Sequence, residues 1–430
     1  MSDVTVALLG IVLLIVLMFA EMPVAFAMFV VGFLGLAIIA SPDAALNILG
    51  ADVWEGLSSY GMSVVPLFVF MGNIVFRSGV TNDLFNAAYK WVGRMPGGMA
   101  GTTIAASTGF AAICGSNAAT CATMGTIALP VMQKYKYDDA LSAGSVAVGG
   151  TLGVVIPPSV VLIIIALQTE QSIAQLFVAS IIPGLILSGL FIATIYALCR
   201  RNPKLGPAGP KVTLKEKVVA LNGVIETLVL FLFVIGGMYA GWFTPTEGGA
   251  AGSFGALVIA LVRRKLNWPG FKAAVLDTLH TSAMVILLVV GATVLGRFLT
   301  FSRMPYELAD WVTGLALPSL AVLGAIIAVY LLGGMFTDAL GFLTLSVPVF
   351  FPLASSLGYD LAWFSVLITI ITTMGAITPP VGVCLFITKG LRPDLRIETV
   401  TKGAMWFLPA YGVCIALLIA LPQLVTGIVR

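Results

Sequence analysis

The sequence predicts an all-α integral membrane protein made of two repeated halves of inverted topology, each holding one re-entrant helical hairpin and one broken helix. Three observations lead there. Of 430 residues, 59% are hydrophobic and 10% charged, and the mean hydropathy is +1.07, outside the range of soluble domains. Uncharged runs such as 95–133, 140–169 and 171–199 are longer than the roughly 20 residues that one crossing needs. Finally, a shift of 222 residues lays Gly153-Val154-Val155-Ile156-Pro157-Pro158 on Gly375-Ala376-Ile377-Thr378-Pro379-Pro380, Tyr137-Asp138 on Tyr359-Asp360, Pro130 on Pro352 and Ser116 on Asp338, all in one ungapped register.

The segments follow in order. Residues 1–78 read as N-terminal scaffold helices; Asp3 stands where a secretory signal would carry basic residues, and Glu21 and Pro23 lead into a second apolar run, so the segment is retained. Residues 79–96, with Asp83, Lys90, Arg94 and Trp91, read as an amphipathic arm at the interface. Repeat 1 and its following helix occupy 97–199. Within it, 97–133 is a small-residue hairpin interrupted at Cys114-Gly115-Ser116-Asn117, and the helix around 150–160 is broken by Pro157-Pro158.

Residues 200–217 form a basic loop, with Arg200, Arg201, Lys204, Lys211, Lys215 and Lys217 against Glu216, which the positive-inside rule assigns to the cytoplasm. Scaffold helices fill 218–302, with a turn near Gly241 and a return to Arg263-Arg264-Lys265 on the same side. A second arm covers 303–314. Repeat 2 and the C-terminal helix occupy 315–430, with a hairpin at 315–352, its tip in Gly333–Asp338, and a helix broken around 372–382.

Paired broken helices in repeated halves point to a midplane ion and substrate site in a secondary transporter. Unwound backbone at membrane depth persists only inside protein or beside water. There it bares carbonyl oxygens suited to a hard cation such as Na⁺, while helix N-termini favour an anion. Candidate Na⁺ ligands are Ser116 and Asn117 at the first tip, with carbonyls near Gly153, Ile156 and Pro158, and Asp338 at the second tip, with carbonyls near Gly375, Thr378 and Val381. Asp338 costs about 2.5–3.5 kcal/mol at a helix centre on insertion scales, so it is expected to face a cavity or a counter-ion. Capping is the competing role for Ser116, Asn117 and Asp338, and a simple kink for the Pro-Pro segments.

Other residues carry plainer readings. Thr244-Pro245-Thr246-Glu247 spells a capping box opening a helix at 245–262. Arg297 is a candidate contact for a carboxylate or sulfonate group of the substrate, with a structural ion pair or snorkelling as the alternative. Glu226 is read as a helix contact or partner pair, and His280, the only histidine, as an interfacial residue without assigned function. No basic block suits nucleic acid, the five cysteines show no CxxC spacing, no HExxH occurs, and catalytic and cofactor-binding residues are not expected.

The Gly-Trp-Phe-Thr-Pro-Thr-Glu-Gly-Gly-Ala stretch at 241–250, the Pro-Pro segments at 157–158 and 379–380 and the hairpin at 97–126 resemble the large membrane subunit of tripartite ATP-independent periplasmic (TRAP) transporters, over essentially the whole chain. The resemblance implies an elevator-type, Na⁺-coupled importer of small organic acid anions in a bacterial inner membrane. It implies two or more coupling Na⁺ ions, a periplasmic substrate-binding protein and a small four-helix membrane subunit, here expected as a separate chain. A stand-alone Na⁺/divalent-anion symporter of similar architecture is the alternative.

Overall fold

The computed structural model describes residues 2–210, 212–314 and 317–427, and among them every regular element is helical. Lys211, the 315–316 start assigned to the second hairpin, and the extreme ends of the first and last segments lie outside the described residues.

The first half runs α1 (Asp3–Phe19), α2 (Val24–Ile39), α3 (Pro42–Ser58), a 3-10 turn (Tyr60–Ser63), α4 (Val64–Arg77), α5 (Val80–Val92), α6 (Gly98–Cys114), α7 (Asn117–Lys134), α8 (Asp139–Val155), α9 (Val160–Gln168) and α10 (Ile173–Arg201). After α11 (Leu214–Leu221), the second half runs α12 (Ile225–Tyr239), α13 (Pro245–Val262), α14 (Trp268–Phe301), α15 (Met304–Gly314), α16 (Ser319–Phe336), α17 (Ala339–Ser356), α18 (Leu361–Gly375), α19 (Val383–Leu391), α20 (Ile397–Met405), α21 (Leu408–Ala420) and the short turn α22 (Gln423–Thr426).

The 222-residue offset found in the sequence carries Asp3, Asn117 and Asp139, the first residues of α1, α7 and α8, onto Ile225, Ala339 and Leu361, the first residues of α12, α17 and α18. Local signals repeat with it. Ser116 and Asp338 cap α7 and α17, and Asp138 and Asp360 cap α8 and α18 by accepting backbone N–H groups. Each Pro-Pro pair, cis at both places, interrupts a crossing: α8 ends at Val155 and α9 starts at Val160, and α18 ends at Gly375 and α19 starts at Val383. The halves differ where α14 runs unbroken for 34 residues while its counterpart is split into α3 and α4.

Basic residues fix the sides. The base of the first hairpin rests on the basic loop: Gly97 N–H donates to Gly206 O (3.0 Å), Gly209 N–H to Gly93 O (2.9 Å) and Asp138 N–H to Leu205 O (2.9 Å). Arg392, beyond α19, pairs with Asp139 at the start of α8. The two broken crossings therefore run in opposite directions, as inversion requires, and α6–α7 enters from the cytoplasmic side. The second hairpin closes on the far side, where the Tyr359 hydroxyl donates to Ser319 O (2.8 Å).

Three boundaries differ from the sequence reading. The basic loop is shorter than 200–217, because α10 continues through Arg201 and α11 opens at Leu214 with a capping box from Thr213 and Glu216. The second hairpin does not stop at 352: α17 passes through Pro348 and Pro352 to Ser356, and Gly358, at φ +76°, supplies the left-handed stop. Its tip is also narrower than Gly333–Asp338, since α16 remains helical to Phe336 and only Thr337 and Asp338 are unwound.

Packing explains why the repeats hold together. All residues of α8 from Ala140 to Val155 are buried, which a lipid-facing helix would not be. Small residues allow this approach: a Cβ on Gly144 would meet the Gly403 backbone at 2.3 Å, so α20 lies directly on α8. The arm α5 is pinned to the scaffold by Arg263, which pairs with Asp83 and with Glu226 and donates to Gly223 O. Glu226 is thus a helix contact.

Candidate ion and substrate sites at the hairpin tips

Each hairpin arm of 17 or 18 residues spans about 26 Å at 1.5 Å per residue, close to the thickness of the hydrocarbon core. Both tips pack against the following broken helix, the first against α8 at Gly153 and the second against α18 at Gly375. At the first, Ser116 caps α7, its hydroxyl accepting from Ala119 N–H at 3.4 Å. Asn117 is 2% exposed, and neither Oδ1 nor Nδ2 has a hydrogen-bond partner. Thr120 is fully buried, and apart from the Cys114 thiol beside it Oγ1 is partnerless. A buried polar atom left unpaired costs about 1–3 kcal/mol, so two such residues one turn apart make this tip a candidate ligand site.

Gly153 brings α8 onto this tip. A Cβ there would lie 2.3 Å from Ser116 O and 2.6 Å from Thr120 Oγ1, and one on Gly115 would lie 2.8 Å from Pro158 O. The structure thus gathers Ser116, Asn117, Gly153 and Pro158, with Ile156 buried as the cap of α8. The oxygens of Ser116, Pro158, Asn117 and Thr120 are of the hard, neutral kind that a monovalent cation takes, which makes them candidate ligands. Sequence reasoning missed Thr120 and the equally buried, partnerless Ser107, which packs against Gly149. Thr120 had a signal, lying one helical turn beyond Ser116 on the same face.

At the second tip Asp338 is half-buried and caps α17, accepting from Leu340 N–H at 3.2 Å. The capping role is real and leaves carboxylate lone pairs over. Gly382 N–H donates to Met335 O (3.0 Å), and a Cβ on Gly375 would meet the Gly334 backbone at 2.5 Å, so α18 and its break abut the tip as their counterparts do. Thr378 turns its hydroxyl onto Met374 O (2.7 Å), and Thr378 and Val381 are half-buried. The break at 376–382 is more open than that at 156–159, where every residue is buried. The two repeats touch where Cys121 Sγ on α7 meets Thr388 Oγ1 (3.2 Å) and Cys384 O (3.6 Å) on α19. Among the described residues no cluster of three His, Cys, Asp or Glu side chains suits a metal.

Two cavities flank these elements. An inner one of about 410 Å³ is lined by Asn73, Phe76, Ser116, Thr123, Asp277 and His280 and so reaches the first tip. His280, read as interfacial, faces it. An outer one of about 420 Å³ is lined by Asp52, Glu55, Glu170, Arg297 and Thr300 and reaches Val347 and Pro348 on α17, well short of Asp338. Arg297 is therefore not gathered with the tips. It pairs with Asp52, 245 residues away in sequence. Thr244 and Glu247 form the expected capping box at the start of α13.

Doubled hairpins and broken crossings packed against one another define a membrane transporter component. The chain matches, over residues 11–424, the family described as "Tripartite ATP-independent periplasmic transporter, DctM component", and it belongs to that family. It is similar to the C4-dicarboxylate TRAP transporter large permease protein DctM of Pseudomonas aeruginosa, at 33% identity covering 86% of each chain. It is also similar to the sialic acid TRAP transporter large permease protein SiaM of Vibrio cholerae, at 31% identity covering 95% of this chain and 94% of the other. In fold it resembles the solved Alcanivorax borkumensis YdaH transporter, with a TM-score of 0.63 at 14% identity over 88% of this chain and 90% of that one. The chain is thus a multi-pass bacterial inner-membrane permease, one component of a tripartite transporter and not an enzyme.

Proposed function

We propose that this permease performs Na⁺-coupled import of a small organic anion, a carboxylate or sulfonate, received from a periplasmic binding protein and carried with the help of a separate small four-helix membrane subunit. The observation that carries the reading is the first tip, where Asn117 and Thr120 are buried with polar side-chain atoms lacking hydrogen-bonded oxygen or nitrogen partners and Gly153 brings α8 against Ser116 O and Thr120 Oγ1. Asp338, with the backbone around Gly375, Thr378 and Val381, is the second cation site, so at least two Na⁺ ions accompany one anion. The C4-dicarboxylate and sialic acid named for the relatives give the cargo class to try first.

In this reading α6–α9 and α16–α19 move as a unit against the scaffold, with α5 and α15 as connecting arms, which is an elevator. The inner cavity touches Ser116 while the outer one stops short of Asp338, which corresponds to a state that releases cargo inward. With two Na⁺ and a monoanion, one net charge enters per cycle, worth about 2.3 kcal/mol per 100 mV. The test is uptake of labelled succinate or sialic acid into proteoliposomes holding the chain and its small partner, under an inward Na⁺ gradient, with and without the binding protein. Dependence on both is expected. Uptake indifferent to Na⁺ removes the cation sites, and uptake indifferent to the binding protein makes this a stand-alone symporter.

A further inference from the structure

Arg297 and Asp52 form an unusual pair. The Asp52 side chain is 2% exposed and Arg297 is 52% exposed. They join through Arg297 Nε and Asp52 Oδ1 at 3.2 Å, while Asp52 Oδ2 is buried with no partner. Among the described residues the two Nη groups of Arg297 have no partner either, and the side chain lines the outer cavity. A guanidinium held at its Nε edge by a buried carboxylate presents its other edge as a fixed fork, the geometry that takes a carboxylate or sulfonate in two parallel hydrogen bonds.

We propose that Arg297 and Asp52 are a receiving site for the anionic group of the cargo on the periplasmic wall of the scaffold, in which Arg297 contacts the anion and Asp52 is a positioning residue and a built-in competitor. This rests on the reading that the cargo is an organic anion. The surroundings make the site a point of handover. Glu55 and Glu170 line the same cavity, so an anion gains the fork while meeting carboxylate repulsion that keeps its stay short. Glu170 follows α9, next to the proposed moving unit, whereas Asp52, Glu55 and Arg297 belong to α3 and α14. Displacement of α9 away from this wall takes one of the carboxylates with it and strengthens the hold on the anion.

The test needs no transport. The full chain with its small partner is exposed to phenylglyoxal, which modifies accessible guanidinium groups, and modification of each arginine is followed by mass spectrometry in chloride, succinate or methanesulfonate at matched ionic strength. Succinate and methanesulfonate should slow modification of Arg297 but not of the exposed Arg201 at the cytoplasmic end of α10. Asp52→Asn should lower the half-protecting succinate concentration about three- to tenfold, the range expected when a charged competitor at one edge is removed. Glu55→Gln, on an exposed side chain, should act in the same direction and guards against a folding defect in the first variant. Equal protection of Arg201, or half-protecting concentrations that both variants leave unchanged or raise, overturns the proposal. Protection without Na⁺-driven uptake leaves this site and removes the import reading, and uptake without protection does the reverse.

Discussion

Gly153→Ala is the sharpest probe of the first tip. The added methyl would sit 2.3 Å from Ser116 O and 2.6 Å from Thr120 Oγ1, against about 3.4 Å for ordinary contact, so a backbone carbonyl must retreat by about 1 Å. Neither side yields easily, since α8 is buried along its length and Ser116 is held by its capping turn. Overpacking of this kind costs about 1–3 kcal/mol. Because the displaced atoms are the proposed cation ligands, the cost falls on the Na⁺-bound state and corresponds to about 5–150-fold in half-saturating Na⁺. The assay is Na⁺-titrated uptake in proteoliposomes beside thermal denaturation with and without Na⁺, where ligand binding at about 100 times its dissociation constant adds roughly 2.7 kcal/mol. Gly153→Ala should lose most of that Na⁺-dependent stabilisation. An unchanged half-saturating Na⁺ together with a lower melting point in Na⁺-free buffer would refute the argument and leave Gly153 a packing residue only.

Four further outcomes are expected. Asn caps as well as Asp, so Asp338→Asn should keep stability within about 0.5 kcal/mol in Na⁺-free buffer while abolishing most uptake; retained uptake counts against the second cation site. Thr120→Val removes a buried hydroxyl whose one polar neighbour is the weakly hydrogen-bonding Cys114 thiol, so it should be close to neutral in Na⁺-free buffer yet weaken Na⁺ dependence, read from the same melting curves. Tyr137→Phe removes the hydrogen bond donated to Pro207 O (2.5 Å) and the one accepted from Met99 N–H (3.1 Å) at the cytoplasmic base of the first hairpin. It should cost about 1–3 kcal/mol and raise proteolysis within residues 203–210. Thr244→Ala breaks the α13 capping box and should cost about 0.5–2 kcal/mol, measured by thermal denaturation, with half-saturating Na⁺ unchanged because the box is exposed and its bonds are local to the start of α13.

The sequence by itself determined the class, the repeat and the local breaks. Apolar runs, Pro-Pro pairs and capping residues act within a few positions of the chain, so α7 and α17 begin where Ser116 and Asp338 say they must, and α13 begins at Pro245. The ends of elements are less legible: the second hairpin reads as ending at 352, but α17 passes through Pro352 and runs on to Ser356. Only the tertiary structure decided which polar atoms stay unpaired. Whether Thr120 and Ser107 find partners depends on how closely α8 approaches across Gly153 and Gly149, and a threonine in a small-residue helix looks the same in sequence whether it is satisfied or orphaned. The same holds for Arg297, whose partner Asp52 lies on a helix far away in sequence and meets it only because α3 folds back along α14. Short-range signals write the elements into the chain; a site assembled from opposite ends of it exists only once those elements have packed.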